Sequence, residues 1–404
     1  MIFMGQRQSR FFFVHLVWLM VLWAGLVAAA EAHYLSCAEE RAIGQAAVRD
    51  YEGRYSAYAA PQQIKRIQQR LVENNPGKGL LLSGGARTRY MVPIKVTTDP
   101  QVNAFTFPGG HIYVAQQMID FCNTRDSDGY TDHRNYNRNS LYNNGTLAFV
   151  VGHEMGHFVN ADYLREYDKN FRWNLLFNIF QMKAKTPEAV FLAGEVQGMV
   201  NRLTTRQLSF KVEKQADEKG CDFVEHVPEY SLGNAAIFFR RLGNLEAINN
   251  TRQDWQRPHS KTDVRYRRIL TRMKKISHGR VQIKDGKFYL DGKLFMGTGL
   301  MPAKRQVDAL DRTLYVAGQV AAAIDQGCWN ERSVMVTENN GWTPGVGAQH
   351  LALFAGESRG TQMRVRKVID VFDLTDKLDV NHLAHHQQEE LQAARALMES
   401  ARKH

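Results

Sequence analysis

His153-Glu154-Met155-Gly156-His157 sits in the middle of a helix-compatible run over residues 146–162. On a helix, residues four apart project from the same face. His153 and His157 can therefore present two imidazoles to one ion, and the intervening Glu154 can reach a water on that ion. Zinc lowers the pKa of its water toward neutrality, so that a carboxylate can take the proton. Leu147, Val150, Val151 and Phe158 supply an apolar flank, and Asn144-Gly145-Thr146 gives a start signal. The stretch thus points to a helix and to zinc-assisted hydrolysis together.

A catalytic zinc needs a third protein ligand and one open position. Glu213-Lys214-Gln215-Ala216-Asp217 offers it within a predicted helix over 208–224. Glu213 and Asp217 again share a face. Glu213 can bind the metal while Asp217 accepts the second ring N–H of a ligand histidine, which fixes its tautomer and orientation. The small Ala216 lets this helix approach the first closely. Either carboxylate alone would read as a solvated acid; their spacing downstream of the paired histidines argues otherwise.

Around these two helices the pattern is mixed. Residues 39–72 read as two helices broken near Pro61, with Ile64, Ile67 and Leu71 as a core-facing stripe. Residues 77–85 form a loop, and 90–96 and 112–114 read as strands on either side of Pro108-Gly109-Gly110. Residues 123–144 are polar and aperiodic, a long surface loop. Residues 171–203 read as helical with a break at Thr186-Pro187, their apolar runs too short to cross a bilayer. A further helix covers 234–245. Beyond Lys275 the character changes: Asp285-Gly286 and Asp291-Gly292 punctuate a three-stranded meander over 281–296. A helix over 308–325, strands at 333–337, 350–355 and 363–372, and a polar helix from His382 complete the chain.

The chain has 404 residues, 44% hydrophobic and 23% charged, enough for more than one domain. Its net charge of +11 is scattered apart from a run at Arg265 to Arg268 with Arg272, Lys274 and Lys275. No helix-turn-helix, zinc-finger or aromatic RNA-binding signature accompanies it, which argues against nucleic acid; solvated faces are the first reading of the charge and an anionic membrane surface the alternative. At the N-terminus Arg7 and Arg10 precede an apolar stretch over 11–27, and Ala28-Ala29-Ala30 and Ala30-Glu31-Ala32 are small-x-small sites. This is the pattern of a secretory signal peptide, residues 1–32, and implies an exported, periplasmic or other extracytoplasmic protein, or a membrane-anchored one if the segment stays uncleaved. Cys37, Cys122, Cys221 and Cys328 form no Cys-x-x-Cys pair; two disulfides or four buried thiols are the alternatives.

Several further segments join the zinc helices. Asn103-Ala104-Phe105 precedes Pro108-Gly109-Gly110-His111-Ile112-Tyr113-Val114; Ser209 and Gly220 flank the third-ligand segment; His259, Thr262, Asp263 and Arg265 follow. In this order they resemble the family of zinc metallopeptidases that includes HtpX, BepA and the CaaX prenyl proteases, over residues 39–275. The sequence departs from the family at Asn160-Ala161-Asp162, at Phe210 and at Ser260. The resemblance implies an α+β fold: a mostly helical, zincin-like peptidase domain with a small β-sheet over residues 33–278. It leaves uncovered a separate α+β C-terminal domain over 279–378 and a polar C-terminal helix over 379–404. It implies one zinc ion per chain on His153, His157 and Glu213, with Glu154 as general base.

The resemblance also brings His259 to the metal, either as a plug filling the open position or as a donor to the oxyanion. Arg265 would serve that second role or anchor the loop. An extended protein or peptide substrate would add to the sheet edge over residues 103–114, which makes Asn103, Ala104, Phe105, Gly110 and Ile112 candidate substrate contacts. The expected activity is endoproteolysis of exported or envelope proteins, misfolded ones among them, in quality control. The alternative is a zinc-stabilised, chaperone-like binding module; a third reading has the C-terminal domain recruit a partner. Glu154 favours the peptidase, since a pure scaffold needs ligands but no base.

Overall fold

The structure is a computed structural model that describes residues 37–84, 88–123, 140–162, 201, 209–249, 262–296, 309–330, 334–338, 350–359, 362–373 and 399. The signal segment, His259 and most of residues 123–144, 171–203 and 379–404 lie outside the described residues.

Two helices, α1 (Cys37–Glu52) and α2 (Gln62–Glu73), flank Pro61 as the sequence suggests, with a short strand β1 (Ala57–Ala59) between them that no periodicity announces. Ile64, Ile67 and Leu71 of α2 are all buried. Strands β2 (Lys95–Thr97), β3 (Ala104–Phe107) and β4 (His111–Ala115) complete a four-stranded sheet of order β1-β2-β4-β3. β2 and β4 run parallel; the other two pairings are antiparallel. The strand expected over 90–96 is confined to its last residues. The preceding ones bond elsewhere: Met91 N–H donates to Leu81 O, Val92 N–H to Gly110 O, and Ile94 N–H to the Gln68 side chain.

β3 is an outer strand whose two faces have different neighbours. Phe105 and Phe107 pack with Tyr51 of α1 and Tyr113 of β4, with ring centroids 4.8 to 5.7 Å apart. Each such pair contributes about 0.5–1.5 kcal/mol beyond its area burial, so this cluster locks β3 in place. Thr106 points to the opposite face, as alternation requires. The turn from β3 to β4 uses Gly109 and Gly110, both at positive φ. A Cβ on Gly110 would lie 2.6 Å from Tyr90 O, so close approach as well as backbone angle demands glycine there.

After α3 (Gln116–Asn123), the helix α4 (Ser140–Asn160) carries the paired histidines. It begins six residues before Thr146, upstream of the expected start. Helices α5 (Phe210–Glu225), α6 (Leu232–Asn249) and α7 (Thr262–Ile276) follow, then the meander β5 (Val281–Lys284), β6 (Lys287–Leu290) and β7 (Lys293–Met296), and the helix α8 (Ala309–Asp325). The meander matches the Asp-Gly reading: Asp285, Gly286, Asp291 and Gly292 all take the positive φ its turns require. β8 (Val334–Glu338), β9 (His350–Arg359) and β10 (Gln362–Asp373) form an antiparallel sheet of order β10-β9-β8.

One apolar cluster runs from Ile64 of α2 through Val114, Phe149 and Phe239 to Phe288 of the meander and Val320 of α8. The expected domain boundary at 278/279 is therefore no gap in the core. Lys367 of β10 is fully buried and donates to the carbonyls of Glu225, Val227 and Tyr230 at 2.6 to 2.9 Å, which ties the last sheet to the C-terminal end of α5. Burial pushes its ammonium down to about 8, against the acids Glu225 and Glu229 nearby. The basic run of α7 is largely answered by acids: Arg267 bonds Asp263, and Arg272 bonds Asp222 and Glu225. All four cysteines are free thiols, three of them buried, so the disulfide alternative falls. Among the described residues no helix is long and apolar enough to cross a membrane.

Candidate metal centre

The centre forms where α4 crosses α5, and small residues make the crossing possible. A Cβ on Gly156 would stand 3.1 Å from Ala216 O, and one on Gly220 would stand 2.9 Å from the His153 backbone N. Without side chains at these points the helix backbones approach closely, and the four-residue spacings on each helix bring their functional faces together. His153, His157 and Glu213 are each nearly fully buried, and one ligand atom from each lies within 4.8 Å of the others. The two Nε2 atoms are 3.1 Å apart; Glu213 places Oε2 3.4 Å from His153 Nε2 and Oε1 3.6 Å from His157 Nε2.

The far nitrogens decide what this cluster can hold. His153 Nδ1 lies 3.0 Å from Asp217 Oδ1, and His157 Nδ1 lies 3.0 Å from Asp162 Oδ2. Each carboxylate accepts an Nδ1–H, which leaves both Nε2 atoms as lone pairs facing a third acceptor, Glu213. Three converging acceptors in a buried site repel one another unless a cation lies among them. Two imidazoles and one carboxylate are a donor set suited to a catalytic metal. Electrostatics agree. Burial works against the His153 imidazolium, but Asp217 and Glu213 outweigh it and hold the group up at about 9, so without a metal a proton takes the His153 Nε2 lone pair, and a metal would take that proton's place.

The family model of peptidase family M48 matches residues 81–273, which take in α4, α5 and all three converging side chains. This domain belongs to peptidase family M48. No curated protein matches the chain. M48 membership makes the domain a metal-dependent peptidase, a hydrolase acting on protein or peptide substrates, and the buried histidine–glutamate group is where its metal would sit.

Other candidate residues of the M48 domain fall into place by contact. Asp217 supports His153, as its spacing from Glu213 suggests, and Arg265 supports Asp217 in turn. The Arg265 guanidinium donates from Nε to Asp217 Oδ2 at 2.8 Å and from Nη2 to Oδ1, and it stacks on the Phe239 ring. Burial would raise the Asp217 carboxyl, but Arg265 and His153 hold it below its ordinary range. The catalytic role expected for Arg265 thus gives way to a positioning one, because two of its nitrogens are engaged behind the histidine. Glu154 is 2% exposed, and Thr106 Oγ1 lies 2.9 Å from its Oε2.

The expected substrate contacts were additions to a sheet edge, and β3 is such an edge; the side chains there are turned elsewhere. Phe105 faces α1, on the side of the sheet away from Thr106 and Glu154. Ile112 is buried in the core, and Gly110 is buried against Tyr90 and Met91. Ala104 shares the outer strand, and Asn103 accepts Ala115 N–H through its carbonyl. Any contact with substrate from Ala104 and Phe105 would run through the backbone of β3.

Asp162 is the site residue that the sequence hides. It follows the end of α4, where Ala161 takes φ 54°, a left-handed turn that a non-glycine residue rarely adopts. The turn folds Asp162, fully buried, back onto His157. A five-residue spacing shares no helical face, so only the turn makes the contact. Asp162→Ala and Asp217→Ala should each lower metal affinity about 10–100-fold, measured by competition with a chromogenic chelator. Parent-like affinity in Asp162→Ala would make that carboxylate a helix-end contact alone.

Proposed function

We propose that the chain is an exported zinc metalloendopeptidase that cleaves unfolded or misfolded proteins of the cell envelope. The observation that carries the reading is the buried convergence of His153, His157 and Glu213, with both imidazoles oriented from behind by carboxylates. Zinc, one per chain, supplies Lewis acidity and a water of lowered pKa when bound there. The protein's own groups do the rest. Asp217 and Asp162 hold the imidazoles in the Nε2-ligating tautomer, and Glu154 takes the proton from the water and passes it to the departing amine. An extended segment of substrate would lie along β3, the outer strand of the sheet. The N-terminal pattern of Arg7, Arg10 and the apolar stretch that follows supports export.

The test is metal dependence. Purified protein should carry about one zinc per chain, cleave an unfolded polypeptide, lose cleavage on chelation and regain it on zinc addition. Full zinc occupancy with no cleavage of any unfolded substrate would leave a zinc-stabilised binding module instead.

A further inference from the structure

Glu154 has a hydroxyl neighbour from the sheet. Thr106 Oγ1 lies 2.9 Å from Glu154 Oε2 and 3.0 Å from Glu154 main-chain O. Both residues are buried, Thr106 at 5% exposure and Glu154 at 2%. A threonine hydroxyl carries one hydrogen and two lone pairs, and an ionised carboxylate accepts only. The hydroxyl therefore donates to Oε2 in a charge-assisted bond, stronger than one to a neutral carbonyl.

A glutamate side chain has several soft torsions, the last of them broad. A partner outside the helix can therefore set the direction of the carboxylate. Thr106 does so from outside, and from a firm base: its strand neighbours Phe105 and Phe107 are locked against Tyr51 and Tyr113 on the opposite face. The valine isostere would keep the shape and lose the bond.

We propose that Thr106 is a positioning residue of the Glu154 carboxylate, fixing Oε2 and with it the direction in which the carboxylate faces. The proposal rests on Glu154 being the general base. It makes β3 serve two ends at once, since the strand proposed to receive the substrate also orients the base that acts on it. A small misplacement of a reacting group can cost about 10²-fold in rate, and that scale sets the expectation here.

The experiment uses the full chain with Thr106→Val and Thr106→Ser. Thr106→Val should keep its zinc, leave KM unchanged and lower kcat about 10–100-fold; Thr106→Ser should restore most of kcat. A second readout needs no metal. In chain stripped of zinc, Thr106→Val should lower the denaturant midpoint more in the parent than in a Glu154→Ala background, because the lost bond needs the carboxylate. A parent-like kcat in Thr106→Val, or equal midpoint losses in the two backgrounds, overturns the proposal. Activity retained in Glu154→Gln would instead remove the general-base reading on which it stands, so the two failures are distinct.

Discussion

Glu154→Gln is expected to abolish peptide hydrolysis while zinc content stays near one per chain. Glutamine keeps the size of the side chain and can still accept the Thr106 hydroxyl, so the buried packing at 2% exposure is retained. What it loses is basicity. General acid–base catalysis by a positioned group contributes about 10²–10⁴-fold, and in the proposed reaction one carboxylate serves both proton transfers, so the loss should reach the upper part of that range or beyond. The zinc ligands are untouched, and metal analysis beside the cleavage assay separates the two effects. Zinc lost with activity would make Glu154 a ligand; activity kept would end its role as base.

The sequence carried the centre further than it carried the fold around it. Two four-residue spacings, His153 to His157 and Glu213 to Asp217, were legible because an α-helix turns such spacings into shared faces whatever surrounds them. The Asp-Gly turns of the meander were legible for a similar reason: their backbone angles are local demands, and Asp285 to Gly286 and Asp291 to Gly292 meet them. Contacts set by tertiary structure were not legible. Asp162 reaches His157 through one left-handed residue, and Thr106 reaches Glu154 through strand alternation and the packing of β3 on α4. The face that Phe105 takes was not legible either. Its motif says that a strand is there without saying which alternate residues meet the aromatic cluster of Tyr51 and Tyr113. The expected boundary at 278/279 followed a change of pattern along the chain, whereas the apolar cluster ignores it and joins Phe239 to Phe288 and Val320. Composition shifts report changes of element type, and core continuity depends on how those elements pack.

Glu213→Ala should strip the protein of zinc with its fold intact. Glu213 is the only one of the three converging ligands on α5, and its two oxygens lie 3.4 and 3.6 Å from the two Nε2 atoms. Removing it leaves two imidazoles on one helix, a donor pair short of what a catalytic zinc requires. It also removes one of the two carboxylates that hold positive charge at His153, so the remaining site attracts a cation less strongly. The crossing of α4 and α5 does not depend on Glu213. It rests on the close approach at Gly156, Ala216 and Gly220 and on the Arg265–Asp217 bonds, all of which persist. The discriminating measurement is thermal unfolding with and without added zinc. A ligand that binds only the folded state stabilises it by about 4 kcal/mol at a thousandfold excess over Kd. The parent should therefore melt at a markedly higher temperature with zinc, and Glu213→Ala should melt at one temperature in both conditions, close to that of the zinc-free parent. A zinc-induced shift in the variant equal to the parent's would exclude Glu213 from the metal and move the third ligand elsewhere in the chain.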